Sequence, residues 1–445
     1  MKILLVNPAT AKDRVDVRGR FKGSDIFRYP KLGVLAIAGV TPERHSVEII
    51  DETVEIIDYN RKYDIVGISA VTALANRAYE IAAEFKKRNV FTVMGGCHAT
   101  FLPEEAILHT DCVIRGLGEK LWPEFLNDFE NNPGGVKKIY ETRCGAYDRN
   151  LLSGAGFPAR FAENKKGYAA GHVFSIMRGC VKKCDFCSVN AFFERKVYKR
   201  PIEEAYRELQ TLPQWIINLV DDNIYSDPEY AMEFFKRVRE LKKHWLFQAS
   251  TDIVKDRKLL KVLSEAGAKG VFIGLESISA QNLIDVNKTQ NRVDEFKRII
   301  DVFHEFGIVV EAGMMFGFDC DTPAVFESTY KFFHDANLDL MQIATVTPMP
   351  GTAFYDDMKS KGRIISDNWD DFDCKKVVIK PALMTGEELK NGTDWLRNEF
   401  YSYKSILKRG LSNFIHLGVI GTLGYFLRGN LGFKKNHALG LDYPP

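Results

Sequence analysis

The sequence has no uninterrupted run of about 18 apolar residues, the length a helix needs to cross a bilayer, so no membrane span is predicted. Residues 1–8 read as a strand and a turn, and their apolar stretch is too short for a secretory signal. Neither sign of charge dominates, because 61 Lys and Arg residues face 59 Asp and Glu residues, for a net charge of +2. This balance gives no reason to expect a nucleic-acid partner.

Cysteine is also scarce, with eight residues in a chain of 445, and three of the eight fall in one short stretch. The other five lack metal-like spacing and are expected to be small buried side chains. They are Cys97, Cys112, Cys144, Cys320 and Cys374. A disulfide framework is not expected in a chain this long without an export signal, which favours a reducing, cytoplasmic setting.

Cys180, Cys184 and Cys187 form a C-x3-C-x2-C triplet that can face one inorganic centre from a single loop. A cubane 4Fe–4S cluster has four irons, and the usual cluster proteins hold all four with cysteine. Three nearby thiolates leave one iron open to a substrate-like ligand, so the triplet predicts chemistry at a cluster. Zinc is the alternative, although zinc loops usually pair C-x2-C units and add a fourth ligand.

The chain is predicted to be an α/β protein with four regions. Residues 1–145 alternate strand-length apolar runs with helical patterns, which predicts a Rossmann-like parallel sheet of about five strands. Glycine-rich and small polar turns follow several of these strands, at the edge where open parallel sheets bind ligands. Residues 146–170 are typical of a linker.

The alternation restarts in residues 171–370, where six strand–helix units predict a partial (β/α)6 barrel with the cysteine triplet after its first strand. The first strand is predicted over residues 173–177. Polar residues near the strand ends are candidates to face a substrate: Tyr225, Gln248, Asp252 and Glu311.

Residues 371–445 are predicted to be mostly helical, with one helix over residues 387–407. Residues 414–427 are apolar with several glycines, and residues 401–445 contain six Lys or Arg and one acidic residue. The apolar stretch is predicted to pack on the barrel. The alternative is an interfacial helix on a membrane, since apolar residues beside Lys and Arg suit such a surface.

The segment 178–187 resembles the signature of the radical S-adenosylmethionine (SAM) enzymes, in which Phe186 fills an aromatic slot before the last cysteine. Polar motifs after the second, fourth, fifth and sixth barrel strands resemble the same family. The resemblance implies that the triplet ligates a 4Fe–4S cluster that cleaves SAM to a 5′-deoxyadenosyl radical. It also implies a SAM site formed by Phe186, Asp222, Asn223, Gln248, Glu276 and Pro348.

Residues 1–130 resemble the cobalamin-binding domain that precedes such barrels in one branch of the family. The implied cobalamin contacts are Ser69, Thr72, Gly95, Gly96, His98, Gly118 and Glu119. The chain departs from many cobalamin proteins in one respect. They carry a cobalt-ligating histidine after the first strand, whereas the first histidine here is His45. Many radical SAM relatives also lack that histidine.

These resemblances imply a cobalamin-dependent enzyme that methylates an unactivated carbon of a small-molecule or lipid substrate, with a flavodoxin or ferredoxin as electron donor. The alternatives are radical cyclisation or carbon–carbon coupling, a cobalamin-free radical enzyme, and a carrier with an inert barrel. A tRNA methylthiotransferase needs three more cysteines near the first strand, but the first cysteine here is Cys97. The protein is expected in the cytoplasm, with possible contact at the inner face of the membrane through residues 371–445.

Overall fold

A computed structural model describes residues 1–16, 18–25, 28–141, 152, 158–160, 167–169 and 171–441. The predicted linker, residues 146–170, lies almost wholly outside the described residues, as does Cys144. The described chain contains two six-stranded parallel sheets followed by a helical C-terminal region.

The first sheet has the strand order β2-β1-β3-β4-β5-β6, with every pair parallel. Its strands are β1 (Lys2–Asn7), β2 (Ser46–Asp51), β3 (Ile65–Ser69), β4 (Phe91–Gly95), β5 (Cys112–Arg115) and β6 (Ile139–Glu141). The helices that accompany it are α1 (Leu32–Gly39), α2 (Ala75–Lys86), α3 (Cys97–Phe101), α4 (Pro103–His109) and α5 (Gly118–Asn131). The five predicted strands are confirmed. The sixth, β6, has three residues, which is too few for a period-2 pattern to reveal.

The second sheet has the strand order β14-β13-β12-β11-β10-β7, again parallel throughout. Its strands are β7 (His172–Phe174), β10 (Ile216–Leu219), β11 (His244–Gln248), β12 (Ala268–Glu276), β13 (Val309–Phe316) and β14 (Leu340–Thr345). In the described residues, β7 and β14 are the two edges and do not pair with each other. The predicted partial barrel is therefore confirmed.

Helices follow the strands of this sheet, and the longer ones pack apolar stripes on the barrel core. The helices are α6 (Ser188–Phe193), α7 (Ile202–Thr211), α8 (Pro228–Val238), α9 (Arg257–Glu265), α10 (Ala280–Asp285), α11 (Phe296–Glu305), α12 (Val325–Asp335) and α13 (Ala353–Ser360). Asp227 and Asp256 cap α8 and α9, because each side chain accepts a hydrogen bond from a backbone N–H in the first turn of the helix.

The predicted first barrel strand, residues 173–177, is divided in the structure. The strand β7 ends at Phe174, and β8 (Met177–Arg178) turns away to pair antiparallel with β9 (Tyr198–Lys199). The buried Asp221 carboxylate accepts hydrogen bonds from the N–H groups of Ile176 and Met177. The Asp221 side chain thus accepts the hydrogen bonds that these N–H groups would donate to a neighbouring strand if the strand were continuous.

The C-terminal region contains α14 (Gly386–Phe400), α15 (Tyr403–Val419), a π-helical turn (Ile420–Leu427) and α16 (Arg428–Ala438). The single helix predicted over residues 387–407 is wrong, because Ser402 caps α15 by accepting a hydrogen bond from the N–H of Ser405. Within α15, Gly418 has a φ of 63°, which bends the helical run. Residues from α14 to α16 join the main core of the barrel, so packing on the barrel is confirmed for their inner face.

The outer face of this region is more exposed than packing alone predicts. By length and composition, the 36-residue helical run Tyr403–Ala438 is sufficient to cross a membrane, and 22% of its most apolar window is buried. The sequence did not predict this run as a membrane span, because polar residues and glycines interrupt its apolar stretch.

Candidate active site at the facing sheet edges

The cysteine loop leaves β8 through Gly179, which has a φ of 94°. A Cβ at this position would lie 2.1 Å from the carbonyl oxygen of Lys196, so both conformation and space require glycine. The N–H of Gly179 donates to Asp222 Oδ2 at 2.7 Å. The start of the triplet is therefore fixed to the end of β10.

Side-chain amide groups lie beside two of the three thiols of the triplet. Asn223 Nδ2 is 3.5 Å from Cys180 Sγ, and Gln290 Nε2 is 3.6 Å from Cys184 Sγ. All three cysteines are free of disulfides, and Cys184 is the buried one. Hydrogen bonds to sulfur tune the reduction potential of a cluster, so these amides suit thiolate ligands of iron.

In the described part of the chain, no three His, Cys, Asp or Glu side chains are placed to hold a metal ion. A structural zinc site requires its ligands to converge on one ion. In a cubane cluster, each thiolate binds a different iron, so the thiols stay apart around a larger centre. Three thiolates from one loop suit three irons of one cubane cluster.

The polar residues after β10 brace this loop. Burial raises the pKa of Asp221 to about 7, and its carboxylate is occupied by backbone N–H groups of the strand that precedes the triplet. Asn223 accepts hydrogen bonds from the N–H groups of Tyr225 and Ser250, while its amide group points at Cys180. Asp221 and Asp222 are mostly buried, so they do not form a solvated strand end.

Glu276 ends β12 in a left-handed conformation, with a φ of 69°. Its carboxylate pairs with Lys288 at 2.8 Å, and the ammonium of Lys288 lies 5.7 Å from the centre of the Phe186 ring. The pair and the aromatic slot therefore lie beside the triplet. Pro348 is buried in the turn after β14, and Gln248 lies at the end of β11 on a cavity described below.

The segment that supplies Lys288, Gln290 and Asn291 was not predicted from the sequence as part of the site. The side chain of Asn291 donates to the carbonyl oxygens of Gly274 and Leu275 at 2.9 Å each, which fixes the end of β12. The signal was present as a polar run, Asn-Lys-Thr-Gln-Asn, after a short helix. It was missed because it follows a helix and not a strand end.

The carboxyl edge of the N-terminal sheet lines a cavity of about 260 Å³. Five of the seven predicted cobalamin contacts lie on it: Ser69, Gly95, Gly96, Gly118 and Glu119. Its walls also include Trp122, and from the barrel side Arg178 and Asp222. The glycines in these walls let a bound cofactor approach the backbone closely.

The other two predicted contacts, Thr72 and His98, line neither this cavity nor the larger one described next. The His98 ring is fully buried, and its Nε2 lies 2.7 Å from the hydroxyl of Tyr79. Burial lowers the pKa of His98 to about 4. His98 is therefore part of the core. It is neither a cofactor contact nor a surface histidine.

A second cavity, of about 860 Å³, occupies the inside of the barrel and reaches the N-terminal sheet. Both cavities are lined by Ser69, Gly96, Cys97 and Phe192, so they meet at the boundary between the two sheets. Gln248 and Glu311 line the larger cavity, as predicted, whereas the other two candidates, Tyr225 and Asp252, line neither cavity. Burial raises the pKa of Glu311 to about 7, and Gln342 donates a hydrogen bond of 2.7 Å to its Oε1.

Comparison with known proteins agrees with this two-sheet arrangement. Residues 174–333 match the family model of the radical SAM superfamily, and residues 26–126 match that of the B12 binding domain. The bacteriochlorophyllide d C-8(2)-methyltransferase of Chlorobaculum tepidum is 30% identical over 403 residues, which cover 86% of this chain and 87% of the relative. The anaerobic magnesium-protoporphyrin IX monomethyl ester cyclase of Cereibacter sphaeroides is 24% identical, with 97% of this chain and 76% of the relative covered.

Among solved structures, the cobalamin-dependent SAM radical enzyme OxsB, with aqua-cobalamin and SAM bound, has the same fold. The TM-score is 0.67 at 15% identity, and the match covers 93% of this chain and 70% of OxsB. Sequence, fold and the donor groups at the facing edges agree. The chain belongs to the cobalamin-dependent radical SAM enzymes, whose cofactors are a 4Fe–4S cluster, SAM and cobalamin.

Proposed function

We propose that this enzyme transfers a methyl group to an unactivated carbon of a largely apolar small molecule or lipid. The observation that carries the proposal is the shared wall of the two cavities, where the cofactor edge of the N-terminal sheet meets the barrel interior beside the cysteine loop. When bound, the cluster with SAM supplies a radical and the corrinoid supplies a methyl group. The barrel excludes water and holds the substrate carbon close to both.

In this proposal, the roles of the site residues follow from their positions. Cys180, Cys184 and Cys187 hold three irons, and Asn223 and Gln290 donate to their sulfurs. The SAM contacts are Phe186, Asp222, Asn223, Gln248, Glu276 and Pro348, with Lys288 added. The corrinoid contacts are Ser69, Gly95, Gly96, Gly118 and Glu119. We assign the domains as residues 1–145, 171–370 and 371–445, joined by the linker 146–170.

The test compares cells with and without the gene, grown anaerobically on methionine with a deuterated methyl group. We expect a metabolite or lipid that depends on the gene and has gained an intact deuterated methyl group on carbon. A gene-dependent product without added label would contradict methyl transfer.

Radical cyclisation is the second candidate, because the similarity to the Cereibacter sphaeroides cyclase extends over 97% of this chain. The product mass separates the two functions. Methylation adds one carbon from SAM, whereas cyclisation adds none.

We further propose that the enzyme works in the cytoplasm with a flavodoxin or ferredoxin as reductant, and touches the inner face of the membrane through its C-terminal helices. In support, Leu411 and Ile415 of α15 are 70% and 84% exposed, and Lys404 and Lys408 lie on the same helix. Exposed apolar residues beside basic ones suit an anionic lipid surface. The substitution of Leu411 and Ile415 by Glu should abolish flotation with phosphatidylglycerol vesicles. Unchanged flotation would contradict the contact.

A further inference from the structure

The larger cavity extends along the barrel well below the SAM candidates. Its walls are alternate residues of neighbouring strands, such as Val309 and Glu311 on β13, and Leu340 and Gln342 on β14. These residues lie in the amino-terminal halves of their strands, so the cavity occupies the lower part of the barrel. Most of its lining is apolar, with a few polar groups that can fix the orientation of a ligand.

The lower end of this cavity meets the C-terminal helices. Gly424, Tyr425, Arg428 and Gly429 line it, and Gly424 and Arg428 are also exposed to solvent. The cavity therefore reaches the protein surface beside the π-helical turn. Two glycines at this opening leave it free of bulky side chains, and π-helical turns often occur at functional sites.

Large apolar side chains surround the opening on the outside. Ile420 of the π-helical turn lies beside Gly424 and is 55% exposed. Trp215 is also exposed, and its ring stacks edge-on against His244, whose Nδ1 lies 3.1 Å from the hydroxyl of Tyr425. A tryptophan beside exposed aliphatic residues and Arg428 is typical of a membrane interface. Residues 401–445 contain six Lys or Arg and one acidic residue, an excess that repels a second copy of the chain and that an anionic bilayer complements.

We infer that this opening is the mouth of the substrate cavity and that substrate enters it directly from the membrane. The substrate is then an amphiphile, with an apolar skeleton that partitions into the bilayer and an N–H or O–H group. Glu311 accepts a hydrogen bond from that group, since Gln342 engages Oε1 and Oε2 accepts none in the described part of the chain. This inference rests on the proposed function, whose substrate class it narrows.

The experiment blocks the mouth and measures entry without knowledge of the substrate. At Gly424 a Cβ would lie 4.0 Å from its nearest neighbour, Ile420, so Gly424→Trp places an indole at the mouth without a backbone clash. Leu423→Trp is the matched control, because it adds the same ring one residue away, on a side chain that does not line the cavity. The probe is a diazirine-labelled fatty acid in vesicles of phosphatidylcholine and phosphatidylglycerol, with the cofactor-loaded protein.

After irradiation, mass spectrometry locates the adducts. We expect labelled peptides from β13 and β14 in the wild type and in Leu423→Trp, and loss of this labelling in Gly424→Trp. Equal labelling of Gly424→Trp would overturn the inference, as would a wild-type barrel without adducts. Iron and corrinoid contents, measured in each sample, report folding and cofactor binding separately. The experiment therefore distinguishes a failure of the proposed function from a failure of the inference that substrate enters through this opening.

Discussion

The two parallel sheets present carboxyl edges of opposite character. The N-terminal edge consists largely of glycine and small residues around a cavity, as at Ser69, Gly95 and Gly96. The barrel edge consists of charged and amide side chains that hold one another and the backbone, as at Asp222 and Glu276. The same strand–helix alternation therefore produces two different binding surfaces.

The difference follows from what each edge binds. A corrinoid is large and rigid, so its site needs room and close backbone approach more than it needs side chains. A cluster and a zwitterionic ligand are small and charged, so their site needs fixed polar groups that do not reorganise. We expect each edge to keep its own cofactor when the cofactor of the other edge is lost.

The largest expected effect is on the barrel edge alone. Cys184→Ser should abolish cluster assembly and all cleavage of SAM to 5′-deoxyadenosine, because the remaining thiolates cannot hold the cubane. Iron analysis, deoxyadenosine formation and corrinoid uptake are measured on the same anaerobic sample, and corrinoid uptake should persist. Cys320→Ser is the control, since Cys320 is an exposed thiol outside the triplet. Full iron content in Cys184→Ser would refute the ligand assignment.

The C-terminal helices brace the barrel sheet through a buried arginine. Arg409 is 0% exposed and donates to the carbonyl oxygens of Leu338, Asp339 and Phe400. Arg409→Met removes these hydrogen bonds to buried carbonyl oxygens and should lower the free energy of unfolding by about 4 kcal/mol. Denaturant unfolding measures the change. Lys408→Met, at an exposed neighbouring position, should stay within about 0.5 kcal/mol of the wild type. Similar losses in the two variants would contradict the brace.

The strands and the cysteine loop could be predicted from sequence, because apolar periodicity and the triplet are local signals. The end of the first barrel strand could not, since it depends on Asp221, which lies 45 residues from Ile176 along the chain. The burial of His98 against Tyr79 was misjudged for the same reason, whereas the polar run that contains Lys288 was missed because it follows a helix. Which side chain faces a cavity is decided by packing between distant segments, and no local pattern records it.

On the N-terminal edge, a side chain that fills the cavity should affect the corrinoid alone. A Cβ at Gly95 would meet its nearest atom, the carbonyl oxygen of Ile114, at 3.7 Å, so the position accepts a side chain and the cavity receives it. Gly95→Leu should weaken corrinoid binding about 100-fold by steric exclusion, whereas Gly95→Ala should stay within about threefold. Corrinoid titration gives both values. Loss of iron in Gly95→Leu would show that the edges are not independent.

A smaller effect is expected from the buried carboxyl group inside the barrel. Burial raises the pKa of Glu311 from its ordinary 4.5 to about 7. Between these values the unfolded chain has released the proton that the folded protein keeps, so the free energy of unfolding falls as pH rises. Glu311→Gln removes this dependence and should be more stable than the wild type by about 2 kcal/mol above pH 7, with little difference near pH 4. A pH-independent difference in denaturant unfolding would contradict the assignment.

The smallest effect tests the contact between the two edges themselves. Arg178, just before the triplet, pairs with Glu119, at the start of α5 in the N-terminal domain. The side chains are 23% and 7% exposed, so the pair is partly desolvated. A double-mutant cycle with Arg178→Met and Glu119→Gln, measured on the free energy of unfolding, should give a coupling of about 1 kcal/mol. The same cycle on corrinoid affinity should also show coupling, since both residues line the smaller cavity. Additive effects in both cycles would mean that the edges are merely adjacent, and that each binds its cofactor without help from the other.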